Sequence, residues 1–310
     1  MRETLKVWVF VGLALVVAVG LGWGIYDRYR PRYETPAEMM ALLPRSDAVL
    51  FFADVRAIRE TGLLAKVAGS KAVEESDYQR FVAETHFDYQ KDVDAIAAVS
   101  LPAQTFAVVR GTFDWKRLSK YATEHGGKCH NSYCQLPASK QNQWISFFPV
   151  QKTLMAIAVS PDPTAAYMLL PRRGTPDIQV PSYPVWISLP RRVITGSTSL
   201  PPAAQVLVSA LSGASSVVLG IEGGNSGPGI RSKLNLRLDA KCDSSTEAAK
   251  VEARLQDLTR MANSLAGKQP ASRNAGDVGT LLSSGTLSRA GDTVKGTWPI
   301  RQDFLDSLVQ

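Results

Sequence analysis

Histidine and cysteine are scarce in this chain, which has three of each among 310 residues. Catalytic and metal-binding sites that need several of these side chains therefore have few to use. The motifs GxGxxG, GxSxG, HExxH and SxxK are also absent. We accordingly predict no catalytic residue, no cofactor-binding residue and no metal ligand, and we expect a binding or interaction protein more than an enzyme.

A long basic stripe with interleaved aromatic residues is missing too, although the net charge is +7. Such a stripe is typical of proteins that read nucleic acids. The excess positive charge instead falls into short arginine clusters within residues 28–32, 172–173 and 191–192. These positions suit solvated linkers, and the first cluster also suits contact with anionic lipid headgroups. We therefore expect no nucleic-acid partner.

The composition is that of a folded protein. Hydrophobic residues make up 45% of the chain and charged residues 20%, whereas a disordered chain would have fewer apolar and more charged residues. The length accommodates two domains of common size or one large domain.

One long hydrophobic run stands at the N-terminus, where residues 7–26 read VWVFVGLALVVAVGLGWGIY without a charge. As a helix, twenty such residues match the thickness of a bilayer core. Trp23 and Tyr26, near the end of the run, suit the membrane interface. We predict a signal anchor or transmembrane helix with its flank at residues 1–30, and a lipid bilayer as the partner of residues 7–26.

Three interpretations of this segment stay open. An uncleaved anchor would leave the N-terminus in the cytoplasm. A signal peptide could instead be cleaved near the small residues Ala18 and Gly20, or the arginines that follow the run could reverse the orientation. We expect the first, which predicts a single-pass protein of the cell membrane with the bulk of the chain extracytoplasmic, in the periplasm.

The cysteines bear on the compartment. Cys129 and Cys134 flank a polar four-residue loop, so a hairpin here would place them opposite each other, close enough for a disulfide. Disulfides persist in oxidising compartments, which agrees with export. The alternative is a metal site that includes His130 and His125, but no second Cys/His pair stands at a standard zinc spacing. We expect Cys242, which ends a predicted strand, to be buried and reduced.

Element patterns divide the rest of the chain into two similar halves. The Pro-rich stretch PRRGTPDIQVPSYP at residues 171–184 marks a boundary. The predicted divisions are a first α+β half at 31–172, a linker at 173–184 and a second α+β half at 185–310. In both halves a strand and a helical region precede a hairpin, a helix and another hairpin. The first six elements follow the βαββαβ order of ferredoxin-like units.

The expected fold class is therefore α+β. An N-terminal transmembrane helix would precede two halves of ferredoxin-like order, each with an extra strand and a mainly antiparallel sheet. The longest predicted helix, at about 246–265, starts with a capping box at Ser244 and Glu247. Its apolar stripe includes Leu255 and Leu258, which we expect to be buried.

Two further segments invite a chemical interpretation. The glycine-rich loop GGNSGPG at residues 223–229 lies between two strands and lacks the lysine of a phosphate-binding loop, so we interpret it as a hairpin loop. Asp88, Asp92 and Asp94 are closely spaced, but the glycine and glutamate of a calcium loop are missing. If the protein is an enzyme, its site must be assembled from distant residues, with Cys242, His125 and the Asp88–Asp94 region as candidates.

Several segments resemble uncharacterised, N-terminally anchored proteins of the bacterial envelope. The segments are ALLPRSDAVLFFADV, YQRFVAETHFDYQKDVDAIAAV and KCDSSTEAAKVEARLQDL, after a hydrophobic start. They carry packing and capping patterns, and the resemblance implies no activity and no functional residue.

We therefore expect a membrane-anchored interaction or scaffold protein of the cell envelope, with another envelope protein as partner. The alternatives are a small-molecule or lipid binder that uses a cleft between the two halves, and an enzyme with an unrecognised site.

Overall fold

In the part of the chain that the structure describes, twelve strands form one sheet, in which every neighbouring pair runs antiparallel. The structure is a computed structural model that describes residues 33–45, 47–60, 76–171, 179–196, 202–223, 234–266 and 278–300. The strands are β1 Val49–Asp54, β2 Val93–Ser100, β3 Thr105–Gly111, β4 Lys128–His130, β5 Tyr133–Pro137, β6 Trp144–Gln151, β7 Leu154–Ser160, β8 Val185–Pro190, β9 Ala214–Gly223, β10 Leu234–Cys242, β11 Thr286–Ala290 and β12 Thr293–Ile300.

Helices lie on both faces of the sheet. They are α1 Pro36–Ala41, α2 Val55–Glu60, α3 Ser76–Thr85, α4 Tyr89–Asp92, α5 Trp115–Glu124, α6 Arg191–Gly196, α7 Pro202–Ala210, α8 Ser245–Ala266 and α9 Val278–Ser283, with a 3₁₀ helix at Ala165–Leu169. Several begin at a side-chain cap: Thr35 and Glu38 form a capping box at α1, and Asp114 accepts a hydrogen bond from the Arg117 backbone N–H at α5.

The strands form where small or β-branched apolar residues alternate. In β2 every second residue from Val93 to Val99 is buried, as the period of two requires. The spatial order is β11-β12-β10-β9-β8-β1-β2-β3-β7-β6-β5-β4. Strands β1 and β8 therefore join the two halves at the middle of the sheet, where Phe52 lies opposite Trp186.

The prediction of two ferredoxin-like halves is wrong. A split βαβ unit needs parallel strands joined by a crossover, but β1 and β2 are joined through helices and still pair antiparallel. Instead, β1-β2-β3-β7-β6 in the first half and β8-β9-β10-β12-β11 in the second have the same spatial order, and they form one sheet.

The two faces of the sheet carry separate cores. On one face, which we call the α1 face, α1 and the 3₁₀ helix cover the first half, with Phe106, Met39 and Leu169 fully buried. On the opposite face, which we call the α8 face, α3 and α5 cover part of the first half and α8 covers the second. Alternation along the strands produces this division, because Phe52 points to the α1 face and its neighbour Ala53 to the other.

The predicted localisation, a single-pass protein of the cell membrane with most of the chain outside the cytoplasm, is wrong by the helices that the structure describes. Among the described residues, no helix combines the length and apolar character that crossing a bilayer requires. Helix α8 has 22 residues but is amphipathic, with Lys250 and Arg254 among its charged residues. The predicted span at 7–26 lies outside the described residues, as do most of the glycine-rich loop and residues 173–178 of the predicted linker.

Candidate functional site

A difference in helix length opens a cleft on the α8 face of the first half. Helices α5 and α8 occupy equivalent places, since each follows the third strand of its half. At 1.5 Å per residue, α8 is about 33 Å long and α5 about 15 Å, from 22 and 10 residues. The longer helix buries Ala248, Val251 and Leu255 against the sheet. The shorter one leaves the strands beyond it partly uncovered.

The cleft has a volume of about 430 Å³. Its floor is the sheet and its walls are α3 and α5. The lining residues are Phe81, Leu118, Tyr121, His125, Leu136, Pro137, Ser139, Ile145, Phe147, Met155 and Ile157. Apart from His125 and Ser139, these lining residues have largely apolar side chains. The cleft therefore suits an apolar ligand body.

Aromatic rings build the helical wall. The ring of Phe81 meets Tyr121 edge to face, with centroids 5.0 Å apart, and the imidazole of His125 stacks on Tyr121 at 4.0 Å. Such pairs stabilise the contact beyond the area they bury. These rings hold α3 against α5, and the described part of α3 has its principal helix contact there.

Polar groups collect at the end of this wall. His125 Nδ1 donates a hydrogen bond to the backbone oxygen of Tyr121 at 2.9 Å, and its Nε2 lies 3.7 Å from a carboxylate oxygen of Glu84. Burial, followed by the charges of Glu84 and Asp77, raises the pKa of Tyr121. The phenol therefore stays neutral at physiological pH, and it offers a hydrogen-bonding group beside an otherwise apolar space.

The predicted disulfide between Cys129 and Cys134 is confirmed. The two sulfur atoms are bonded at 2.03 Å, and the residues lie opposite each other in the β4–β5 ladder. Cys134 is fully buried below α5, where its sulfur lies 3.6 Å from the hydroxyl oxygen of Ser119. The bridge thus secures the strand that supplies Leu136 to the cleft.

The candidate catalytic residues do not converge. Cys242 is 2% exposed and lies beneath α8 in the second half. Burial first, and then the charges of Glu247 and Asp243, raise the pKa of its thiol, which disfavours the reactive thiolate. Six strand spacings of about 4.8 Å separate β10 from β7, which amounts to roughly 29 Å. Cys242 and His125 therefore cannot act as a nucleophile and its base.

The closely spaced aspartates have structural partners. Asp88 caps α4 and accepts hydrogen bonds from Tyr78 and the Gln90 backbone, and Asp94 pairs with Arg56 at 2.8 Å. Burial alone would raise the pKa of Asp88, but its bonds from Lys91, Gln90 and Tyr78 outweigh that effect and lower it. Within the described part of the chain, no three His, Cys, Asp or Glu side chains come together as a metal site.

The cleft itself was not predicted from the sequence. Its floor combines Leu136, Ile145 and Ile157, each from a different strand, and its wall comes from α3 and α5. No regular spacing in the sequence indicates that these residues line one cleft. The one usable signal is the short amphipathic pattern of α5 beside four consecutive strands, which indicates that the helix cannot cover them all.

Comparison with known proteins yields likeness of shape alone. No family model and no curated protein matches the chain. Three crystal forms of TP0453 are similar in structure. Form IV has 12% identity and a TM-score of 0.47, form I has 11% and 0.47, and form III has 10% and 0.49. Each alignment covers 87% of this chain. It covers 95% of the TP0453 chain in forms IV and I and 96% of it in form III. At these values the likeness supports no inference about function.

Proposed function

We propose that this chain is a binding protein of the cell envelope that holds a small apolar molecule in the cleft between α3, α5 and strands β5–β7. The observation that carries the proposal is a space of about 430 Å³ whose lining is almost entirely apolar. Ligand pockets commonly enclose 300–1,000 Å³ and combine apolar walls with a few polar groups. His125, Ser139 and the Tyr121 hydroxyl are the polar groups available here.

The shape of the site favours binding over catalysis. Catalysis needs titratable groups that meet around one reacting atom. Among the described residues that line this cleft, His125 is the one histidine, and Cys242 lies in the other half. The ligand would gain stability from the apolar area it buries, about 25 cal/mol per Å². The disulfide supports an oxidising compartment, because such bonds rarely persist among cytosolic thiols. The resemblance to uncharacterised envelope proteins agrees with this proposal and stays untested.

A neutral fluorescent probe tests the proposal. N-phenyl-1-naphthylamine is apolar and uncharged, and energy transfer from tryptophan reports only the protein-bound fraction. We expect saturable binding to the full-length chain, and a loss of affinity of tenfold or more in Ile145→Trp, because the indole would fill the cleft.

The matched control is Ile221→Trp. Ile221 is likewise half-buried and lies on the α8 face, but in the second half of the sheet. This variant should bind the probe as the unmodified chain does. Equal affinity in all three proteins, with unchanged folding by circular dichroism, would show that the cleft is not the binding site.

A second candidate is an interaction protein, favoured by one exposed apolar patch. Tyr167, Met168 and Leu170 are 49%, 46% and 48% exposed at the 3₁₀ helix. Clustered apolar side chains on a surface mark contact sites. A photo-cross-linking residue at position 168 should give a discrete adduct in the native cell, and one at exposed Met261 should not. Identical patterns at both positions would contradict a specific interface.

A further inference from the structure

A second concavity lies on the α1 face, where the two halves meet. This junction groove has a volume of about 480 Å³, and its floor includes Leu50 of β1, Trp186 and Ser188 of β8 and Val218 of β9. Met40 of α1 supplies one wall and residues 179–181 the other. It is distinct from the apolar cleft, because Trp186 lies opposite Phe52 on the α1 face.

A folded-over segment fixes the second wall. The ring of Tyr183 lies directly on Gly220, where a Cβ atom would come within 2.2 Å of it. The Tyr183 hydroxyl donates a hydrogen bond of 2.8 Å to Asp239 on β10. These two contacts hold the adjacent chain above the sheet, so the groove has a built wall and not only a floor.

One positive charge faces the groove without a counter-charge. Arg45 is exposed and lines the space, and within the described residues it has no ion pair. Among the described residues that line the groove, none carries a carboxylate. The nearest acidic residue along the chain, Asp47, is already paired with Arg192 at 3.0 Å. A guanidinium in this position presents several donors to an anion.

Neutral donors accompany this charge. Ser188 contributes a hydroxyl and Gln179 an amide to the lining. Trp186, which is 2% exposed, has an indole N–H with no acceptor among the described residues. That nitrogen is fully buried, and the ring is stacked on Phe52 with centroids 6.0 Å apart, so Trp186 forms part of the floor. Arg45 carries donors alone, and the Ser188 hydroxyl and the Gln179 amide can each donate, so the polar groups of the groove favour an acceptor.

From these contacts we propose that the junction groove is a second binding site, for a small organic anion with an apolar body. The anionic group pairs with Arg45 and accepts from Ser188 or Gln179. The apolar body lies on Leu50, Val218 and the Trp186 ring. The site is independent of the apolar cleft, which has a different face, lining and charge.

A pair of probes separates the two sites. 8-Anilino-1-naphthalenesulfonate has the same ring system as N-phenyl-1-naphthylamine, with one sulfonate added. In the full-length chain, Arg45→Gln should weaken binding of the sulfonate probe about fivefold or more, through loss of a charge-assisted hydrogen bond. It should leave the affinity for the neutral probe unchanged. Added salt should weaken sulfonate binding in the unmodified chain and much less in Arg45→Gln.

The matched control is Arg260→Gln on α8, an arginine whose side chain is 77% exposed. It should change neither affinity. If Arg45→Gln and Arg260→Gln bind the sulfonate probe equally, the groove proposal is overturned. It is also overturned if Ile145→Trp alone abolishes sulfonate binding, because the probe would then occupy the cleft. Failure of the neutral probe to bind at all would remove the proposed function and leave the groove result standing.

Discussion

At the scale of single residues, the contact between Tyr183 and Gly220 does more than fill space. The ring needs a position on β9 without a side chain, and the hydroxyl needs an acceptor on β10. Gly220, Tyr183 and Asp239 therefore depend on one another although they are distant in sequence. No motif or periodicity in the sequence connects these three residues, so the sequence did not predict a role for the glycine or the tyrosine.

We predict that Gly220→Ala destabilises the fold by about 1–3 kcal/mol, the usual cost of forcing a side chain into a packed contact. Urea denaturation measures this. Gly223→Ala on the same strand is the control, because the nearest atom to its added Cβ would be 3.9 Å away. That variant should be neutral or slightly stabilised. Equal effects at the two positions would contradict the contact.

Alkaline pH should report on the same contact. Burial, and then the hydrogen bond and charge of Asp239, raise the pKa of Tyr183 to about 12 from 10.0. A pKa raised by folding means that its stabilising effect is complete below pH 10 and is lost as pH rises through about 12. Tyr183→Phe should therefore lose stability less steeply over that window. Parallel curves of unfolding midpoint against pH for the two proteins would contradict this.

At the scale of elements, the equivalent helices α5 and α8 cover their halves of the sheet to different extents. Helix α8 closes its half of the sheet, and the shorter α5 leaves a cleft. The sequence predicts a helix from Trp115 to His125, capped by Asp114, and a helix at about 246–265, capped by Ser244. Both agree with the structure to within a residue or two, because an apolar stripe follows each cap. It did not predict α6 Arg191–Gly196 or α9 Val278–Ser283, since six-residue helices give too few turns for a periodic pattern.

The burial of α8 gives a prediction for helix packing. Leu255→Ala should cost about 2–5 kcal/mol, because Leu255 is 2% exposed and its removal leaves a cavity. Met261→Ala, on the same helix at 58% exposure, should change the free energy of unfolding by less than about 0.5 kcal/mol. Denaturant melts of both variants decide this, and similar losses would mean that α8 packs on a different face.

At the scale of the whole molecule, the sheet crosses the predicted division between the halves. Strand composition predicted that strands exist and roughly where they end, but pairing depends on which faces can be buried together. Trp186 of the second half is buried in the core of the first, beside Phe52. The local hydrophobic pattern contains no sign of this long-range contact. The order of the strands in the sheet therefore could not be predicted from the sequence.

We predict that the two halves unfold as one unit. Strands β1 and β8 are paired on both sides, so their opening requires the loss of both cores. In native-state hydrogen exchange, the amides of Phe51 and Ile187 should be among the slowest, and those of the edge strand β11 should exchange faster. Two separate unfolding transitions, or fast exchange in β8, would contradict a single unit.

The junction of β1 and β8 also bears on how the sheet is protected from other chains. Equivalent strands of two like-ordered halves pair antiparallel there, as the edge strands of two subunits would across a two-fold axis. Either half alone would expose an unpaired strand edge at this place, which is a template for pairing with another chain. Because the partner strand belongs to the same chain, the edge stays covered at any protein concentration, whereas the edges of a dimer would separate on dilution.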